Sequence, residues 1–434
     1  MKKPMREKRL PGRTSSEAAP AGSLLERYLE VRRATAMLAA PLSPEDCAIQ
    51  SMADASPTKW HLAHTTWFFE TFILAPAIAD YRAFHPAFRV LFNSYYNAVG
   101  DKHPRPERGM LSRPSLDEVF AYREHVDRAL AAALEGARFD DERLALVELG
   151  IQHEQQHQEL ILTDLKHLLS RNPLRPAYGK SWPLTQVQPG RSRWIGIGGG
   201  AHEIGHSGAG FAFDNETPRH RAWLEDFEIA SRLVTHDEYL AFMEDGGYRR
   251  PDLWLSAGWD CVVSRGWQAP LYWERVGDTW QTFTLRGMAH VEPNTPVCHL
   301  SFYEADAFAR WSAARLPTEV EWEVVAAAAP RDGNFVESGM FHPLPLREAP
   351  PDGVLAQAFG DVWEWTRSDY APYAGFRPAT GAVGEYNGKF MANQYVLRGG
   401  SCATPASHIR PSYRNFFPAD ARWQFSGLRL ARDA

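Results

Sequence analysis

The chain has 434 residues, enough for two or three domains with a substantial core. It is 44% hydrophobic and 23% charged, as soluble globular proteins are, and its −6 net charge argues against nucleic acid or a membrane surface as partner. Its four cysteines (Cys47, Cys261, Cys298, Cys402) have no CxxC spacing, which excludes a disulfide scaffold and a thiolate zinc site and fits a reducing cytoplasm. In chain order, the basic and then small-polar opening has no apolar run behind it, so residues 1–20 read as a disordered tail and not a secretory signal. Nowhere do 18 apolar residues run together, so no membrane span is expected.

Helical periodicity follows at 24–38 and again, opened by a Pro-Ser pair, at 116–134. Between them, 56–74 reads as a Ser56 N-cap, a Pro57 first position and a very apolar helix. The longest helix is expected at 140–169, with an acidic first turn suited to the helix dipole. Four such helices predict a bundle over 21–175. The Pro-rich, non-periodic stretch from Asn172 to Gly190 marks a linker, set at 176–190. Beyond it, 191–434 breaks into short apolar runs (WIGIGGG, FEIA, YVLRGGS, FSGLRLA) separated by Gly, Pro, Asn and Trp, with brief helices at 235–243 and 302–314.

The strongest chemical signal is His153-Glu154-Gln155-Gln156-His157. Histidines at i and i+4 lie about 40° apart around a helix and about 6 Å apart along it, so both can reach one ion. Glu159 falls about 200° around from His157 and points away, and Asp164 lies about 10 Å further along the axis. A third ligand must come from another helix, and 56–74 carries His61 and His64 among Trp60, Trp67, Phe68 and Phe69. A histidine in such a stripe is either a neutral core group or a ligand. Ligand type alone leaves zinc, iron and copper open.

Eight motifs occur together in order. They are HTTWFFE at 64–70, NSYYN at 93–97, HPRPERG at 103–109, HEQQHQE at 153–159, DNETP at 214–218, RLPTEVEW at 315–322, GDVWEW at 360–365 and RGGS at 398–401. The set resembles the ergothioneine-biosynthesis sulfoxide synthases. The resemblance implies an α+β multidomain chain, in which a DinB-like helical bundle precedes a C-type-lectin-like domain of the formylglycine-generating-enzyme (sulfatase-modifying-factor) type. It also implies a non-haem Fe(II) enzyme that uses dioxygen to join a cysteine-type thiol to the imidazole of N-α-trimethylhistidine (hercynine), leaving a sulfoxide. Carried over by motif, the ligands are His64, His153 and His157, and His61 is a neighbour. Gln156, Asn415, Phe416 and Phe417 match the lining for the hercynine ammonium, and Arg105 and Arg108 match the residues that hold the thiol substrate's carboxylate.

In the form of the family that uses γ-glutamylcysteine, an acid follows the aromatic; here the pair is Phe416-Phe417, which favours free cysteine. The proton-donor role falls to Tyr95 or Tyr96. Expected partners are small molecules only (hercynine, cysteine and O2), with no nucleic acid, membrane or obligate protein partner. Three competing readings are weighed. An ovothiol-pathway synthase would not need an aromatic cation pocket. A formylglycine-generating enzyme would need a second cysteine downstream of Cys402, and none follows. A non-catalytic metal-binding and recognition protein would leave the histidines without catalytic work.

Overall fold

The computed structural model describes residues 23–179 and 190–434; the expected tail at 1–20 and most of the expected linker at 176–190 lie outside the described residues. The first half is built on four long helices: α1 (Leu24–Ala39), α2 (Thr58–Phe69), α3 (Leu116–Glu135) and α4 (Asp141–Arg171). Ser23 and Ser115 close capping boxes with Glu26 and Glu118, and the Asp140 side chain accepts from the Arg143 amide. Each box satisfies amide groups that the first helical turn would otherwise leave bare.

The start of α2 differs from expectation. Pro57, not Ser56, sits at the N-cap, without a side-chain cap. Ser56 is drawn elsewhere: its amide donates to Asp164 Oδ2 at 2.8 Å and its hydroxyl accepts from Arg108 at 2.9 Å. Every residue of α2 is buried, as a helix apolar all round requires, and α1, α3 and α4 surround it. After Phe69 the helix widens into a π turn, Glu70–Leu74, before a last turn at Ala75–Ala77. Glu70, at its start, accepts from the hydroxyls of Tyr81 (2.8 Å) and Tyr122 (2.7 Å).

The second half holds small sheets and short helices joined by long loops. One sheet orders Asn415–Pro418, Gln394–Arg398, Trp363–Asp369 and Ser426–Gly427; another joins Trp194–Ile197, Phe227–Ala230 and Ala431–Asp433. The expected helices occur as His236–Glu244 and Phe302–Trp311, the second three residues shorter than anticipated. Helices at Ser256–Arg265 and Glu319–Ala326 were not expected, although Thr318 and Glu321 form a capping box readable as T-x-x-E. The motifs of this half become buried ion pairs. Glu319 binds Arg398 and Arg414, Glu364 binds Arg429, and Glu216 binds Arg410, while Trp322, Trp363 and Trp365 are fully enclosed. In a region with little regular backbone pairing, these pairs and indoles hold the loops in register.

The halves meet along α4. Glu159, on the side of α4 away from the histidines, accepts from Trp363 Nε1 (2.7 Å), Ser401 Oγ (2.5 Å) and Thr404 Oγ1 (2.8 Å). Leu38, Ile161, Leu162, Leu165 and Leu169 pack there with Phe283, Val362 and Phe425. Tyr178, inside the expected linker, bridges the seam: its amide donates to the Leu285 carbonyl and its hydroxyl to that of Leu38, both at 2.8 Å. Among the described residues no helix is long and apolar enough to cross a membrane.

Candidate metal and substrate site

His64 from α2 and His153 and His157 from α4 converge, each offering a ring nitrogen within 4.8 Å of the others, and all three are buried. Two facing helices supply what the i, i+4 spacing could not supply alone. Burial disfavours the imidazolium, and the histidines repel one another's protons. His153 is lowered to about 3, and His64 and His157 are driven well below their ordinary value. Three neutral imidazoles are the form that a divalent d-block cation binds.

Their Nδ1 atoms are treated differently. His64 Nδ1 donates to the Phe92 carbonyl at 2.6 Å, which places the proton on Nδ1 and leaves the Nε2 lone pair free. His157 Nδ1 lies 2.8 Å from His61 Nδ1, so His61 is a neighbour of the cluster. His153 Nδ1 is buried and has no hydrogen-bond partner among the described residues. Trp60 stacks on the His64 ring, with centroids 4.5 Å apart and planes 11° apart, and Trp67 covers the ring at 5.5 Å.

The second half closes the site with aromatic rings. Tyr386 meets His153 edge-on at 5.6 Å, lies stacked on Phe213 at 5.5 Å, and donates its hydroxyl to the Gln156 carbonyl oxygen. The Gln156 amide donates onward to the Tyr413 hydroxyl at 2.7 Å. A continuous path of ring contacts leaves His64 in the other direction, through Trp67, Tyr96, Tyr95 and Phe390 to Phe416, with steps of 4.6 to 5.9 Å. Phe416 itself lies flat on Tyr370 at 4.0 Å. Asn415 and Phe416 share a strand with Phe417, but successive strand residues face opposite ways, and Phe417 packs on Trp423 against the core. Tyr95 and Tyr96 stack at 4.6 Å, with their hydroxyls 3.5 Å apart. Burial raises Tyr95, Tyr96 and Tyr386 above the ordinary phenol value, so at neutral pH all three keep their protons.

Arg108 is buried with its guanidinium 3.4 Å from the centre of the Trp60 ring, on the indole that stacks on His64. It donates to the Ser56 hydroxyl, its Nε has no partner, and no carboxylate hydrogen-bonds it among the described residues. Burial and the neighbouring Arg105 lower it to about 9, so it is still a cation at neutral pH. Arg105 is exposed and donates to the Asp54 carbonyl at the rim.

Tyr386 and Tyr413 were not singled out in the sequence. Tyr386 lies among irregular turns, where no periodicity marks a facing, and it is fixed by Glu385, whose carboxylate accepts the amides of Asn97 and Ala98 in the other half. Tyr413 lies two residues before Asn415 and reads as ordinary core.

Residues 184–434 match the sulfatase-modifying factor enzyme 1-like domain family, and residues 27–161 match the DinB superfamily. The chain is 34% identical over 418 residues to the hercynine oxygenase of Mycolicibacterium thermoresistibile, covering 87% of each protein. It is 33% identical over 407 residues to that of Mycobacterium tuberculosis, covering 87% of this chain and 91% of the relative. A formylglycine-generating enzyme of Streptomyces coelicolor is 29% identical over 286 residues, covering 55% of this chain and 89% of that protein.

Proposed function

The chain belongs to the hercynine oxygenase family, and we propose on that footing that it is an Fe(II)- and dioxygen-dependent sulfoxide synthase joining cysteine to hercynine. One C–H and one S–H bond are lost and a C–S bond forms. One oxygen atom goes to sulfur and the other leaves as water. The observation that carries the reading is the neutral, buried trio His64, His153 and His157 at the seam, closed by an aromatic wall from the other half.

His64, His153 and His157 would hold the iron, which when bound activates dioxygen and orients the two substrates. The donor set fits: the imidazoles are neutral, the His64 proton is committed away from the centre, and one buried nitrogen of His153 has no protein partner. The other residues bind and position. Gln156, held between the Tyr386 and Tyr413 hydroxyls, is fixed beside His157 as part of the lining for the hercynine ammonium. Phe416, with Asn415 beside it, offers a ring face to the quaternary ammonium, which cannot hydrogen-bond; Phe417 completes the strand from its core side. Arg108 is a buried cation that no carboxylate hydrogen-bonds among the described residues, which suits the carboxylate of the thiol substrate, and Arg105 reinforces it from the rim. Tyr95 or Tyr96 supplies a proton to reduced oxygen from a phenol that burial keeps protonated.

Free cysteine is the preferred thiol, since Phe417 stands where the other form of the family has an acid. Formylglycine-type cysteine chemistry is disfavoured by the thiols themselves. Burial raises Cys298 to about 12 and Cys402 well above its ordinary value, which denies both a thiolate. Four free thiols suit a reducing compartment, so we assign the protein to the cytoplasm. The test is oxygen consumption by the Fe(II)-loaded protein with hercynine plus cysteine, and the product mass. A clear preference for γ-glutamylcysteine would overturn the thiol assignment, and turnover of histidine in place of hercynine would overturn the ammonium pocket.

A further inference from the structure

We propose that Asp164 and His61 form a buried relay that fixes the tautomer and tilt of His157, making both positioning residues of the metal centre. The inference rests on the reading of His64, His153 and His157 as ligands. Asp164 Oδ2 accepts from the Ser56 amide at 2.8 Å and lies 3.1 Å from His61 Nε2. Facing a carboxylate oxygen, His61 Nε2 must donate. Two N–H groups cannot face each other across the 2.8 Å between His61 Nδ1 and His157 Nδ1, so with the His61 proton on Nε2 its Nδ1 accepts. His157 Nδ1 lies 2.8 Å away and must carry its own proton, which commits the His157 Nε2 lone pair to the centre.

The surroundings enforce this order. His61 is 2% exposed and Asp164 6%, so water does not offer either group a substitute partner. The opposite tautomer of His61 would set Nε2 against the carboxylate without a proton and two N–H groups against each other. Among the described residues, His157 is the one of the three held by a side chain: His64 uses a backbone carbonyl, and His153 Nδ1 has no partner. Ser56 does not cap α2 because its hydroxyl accepts from Arg108, while its amide anchors Asp164, seven residues beyond His157 on α4 and too far along the axis to reach the ion itself.

The experiment titrates the metal-free full chain with Co(II) alone under anaerobic conditions, following the ligand-field bands and, separately, the melting of the metal-free protein. His157→Ala tests the ligand reading by itself and should abolish the bands; binding like that of the wild type would overturn that reading. His61→Phe should weaken Co(II) by about 10–100-fold without lowering the metal-free melting temperature. Asp164→Asn, whose amide oxygen still accepts both hydrogen bonds, should stay within about threefold of the wild type. Undiminished affinity in His61→Phe, or a loss in Asp164→Asn as large as that in His61→Phe, would overturn the relay while leaving the ligands in place. Should His61→Phe fail to fold, the zinc-loaded wild type with ring-15N histidine decides: we expect a protonated Nδ1 on His157 and a bare one on His61, and a protonated His61 Nδ1 would overturn the relay.

Discussion

His153 and Glu154 are neighbours on one helix, both buried, and their surroundings could hardly differ more. Glu154 is saturated. Arg32 and Arg123 bind its two oxygens at 2.8 and 2.9 Å, and the same guanidiniums reach Thr66, the Leu62 carbonyl and the Arg32 carbonyl, tying α1, α2 and α3 to α4. Burial would raise this carboxyl, but the two arginines outweigh it and hold it at about 2. His153 is left with an unpartnered nitrogen in equally dry surroundings. Saturation ties Glu154 to the packing of the bundle, whereas His153, inside a cluster of neutral imidazoles, keeps a nitrogen open to a partner from outside the chain.

The contrast can be broken by mutation. Removing a reserved group should abolish function and spare the fold: His153→Ala should lower product formation by about a thousandfold or more, some 4 kcal/mol of barrier, measured by product mass after Fe(II) loading. Removing the saturated group should do the reverse. Glu154→Ala strands two buried arginines and should cost about 3–5 kcal/mol in urea unfolding. If His153→Ala proved the more destabilising in the metal-free protein, the distinction would fail. At the proposed ammonium wall the expected effect is smaller. Phe416→Leu keeps the apolar bulk but loses the ring face, worth about 0.5–2 kcal/mol, and should raise the KM for hercynine by about 2–30-fold while leaving that for cysteine unchanged.

The two residues also part under acid. His153 has a folded value of about 3 against an ordinary 6.5, so the unfolded chain takes up the proton first. The metal-free protein should be fully stable in this respect above pH 6.5 and lose stability as pH falls from there toward 3. Glu154, at about 2 against 4.5, contributes stability that is lost only below about pH 4.5. Urea midpoints measured between pH 7 and 5 should therefore slope downward, and less steeply in His153→Phe.

What could be read in advance followed regular geometry. The helical period placed His153 and His157 on one face and turned Glu159 away from them, and Glu159 indeed reaches Trp363, Ser401 and Thr404 across the seam. The choice between His61 and His64 could not be made from spacing, because a fully enclosed helix offers no polar side to orient it; the deciding atoms are the Phe92 carbonyl and Asp164, distant in sequence. Tyr386 was illegible for a related reason. Its loop has no repeat, and its position depends on Glu385 gripping amides of the other half. Phe416 and Phe417 look alike as letters, and only strand alternation sends one onto Tyr370 and Phe390 and the other onto Trp423.

The π turn at Glu70–Leu74 begins nearly two helical turns beyond His64. A π turn amounts to one residue inserted into an α-helix, which shifts the angular phase of everything after it by about 100°. The helix thus follows two phases along a single axis. Upstream, the phase aims His64 at His153 and His157; downstream, it buries Ile73 and Leu74 in the core. A straight α-helix of the same letters would have to give up one aim for the other, so the irregular turn lets a histidine of the buried cluster and a hydrophobic anchor share one helix without sharing one face.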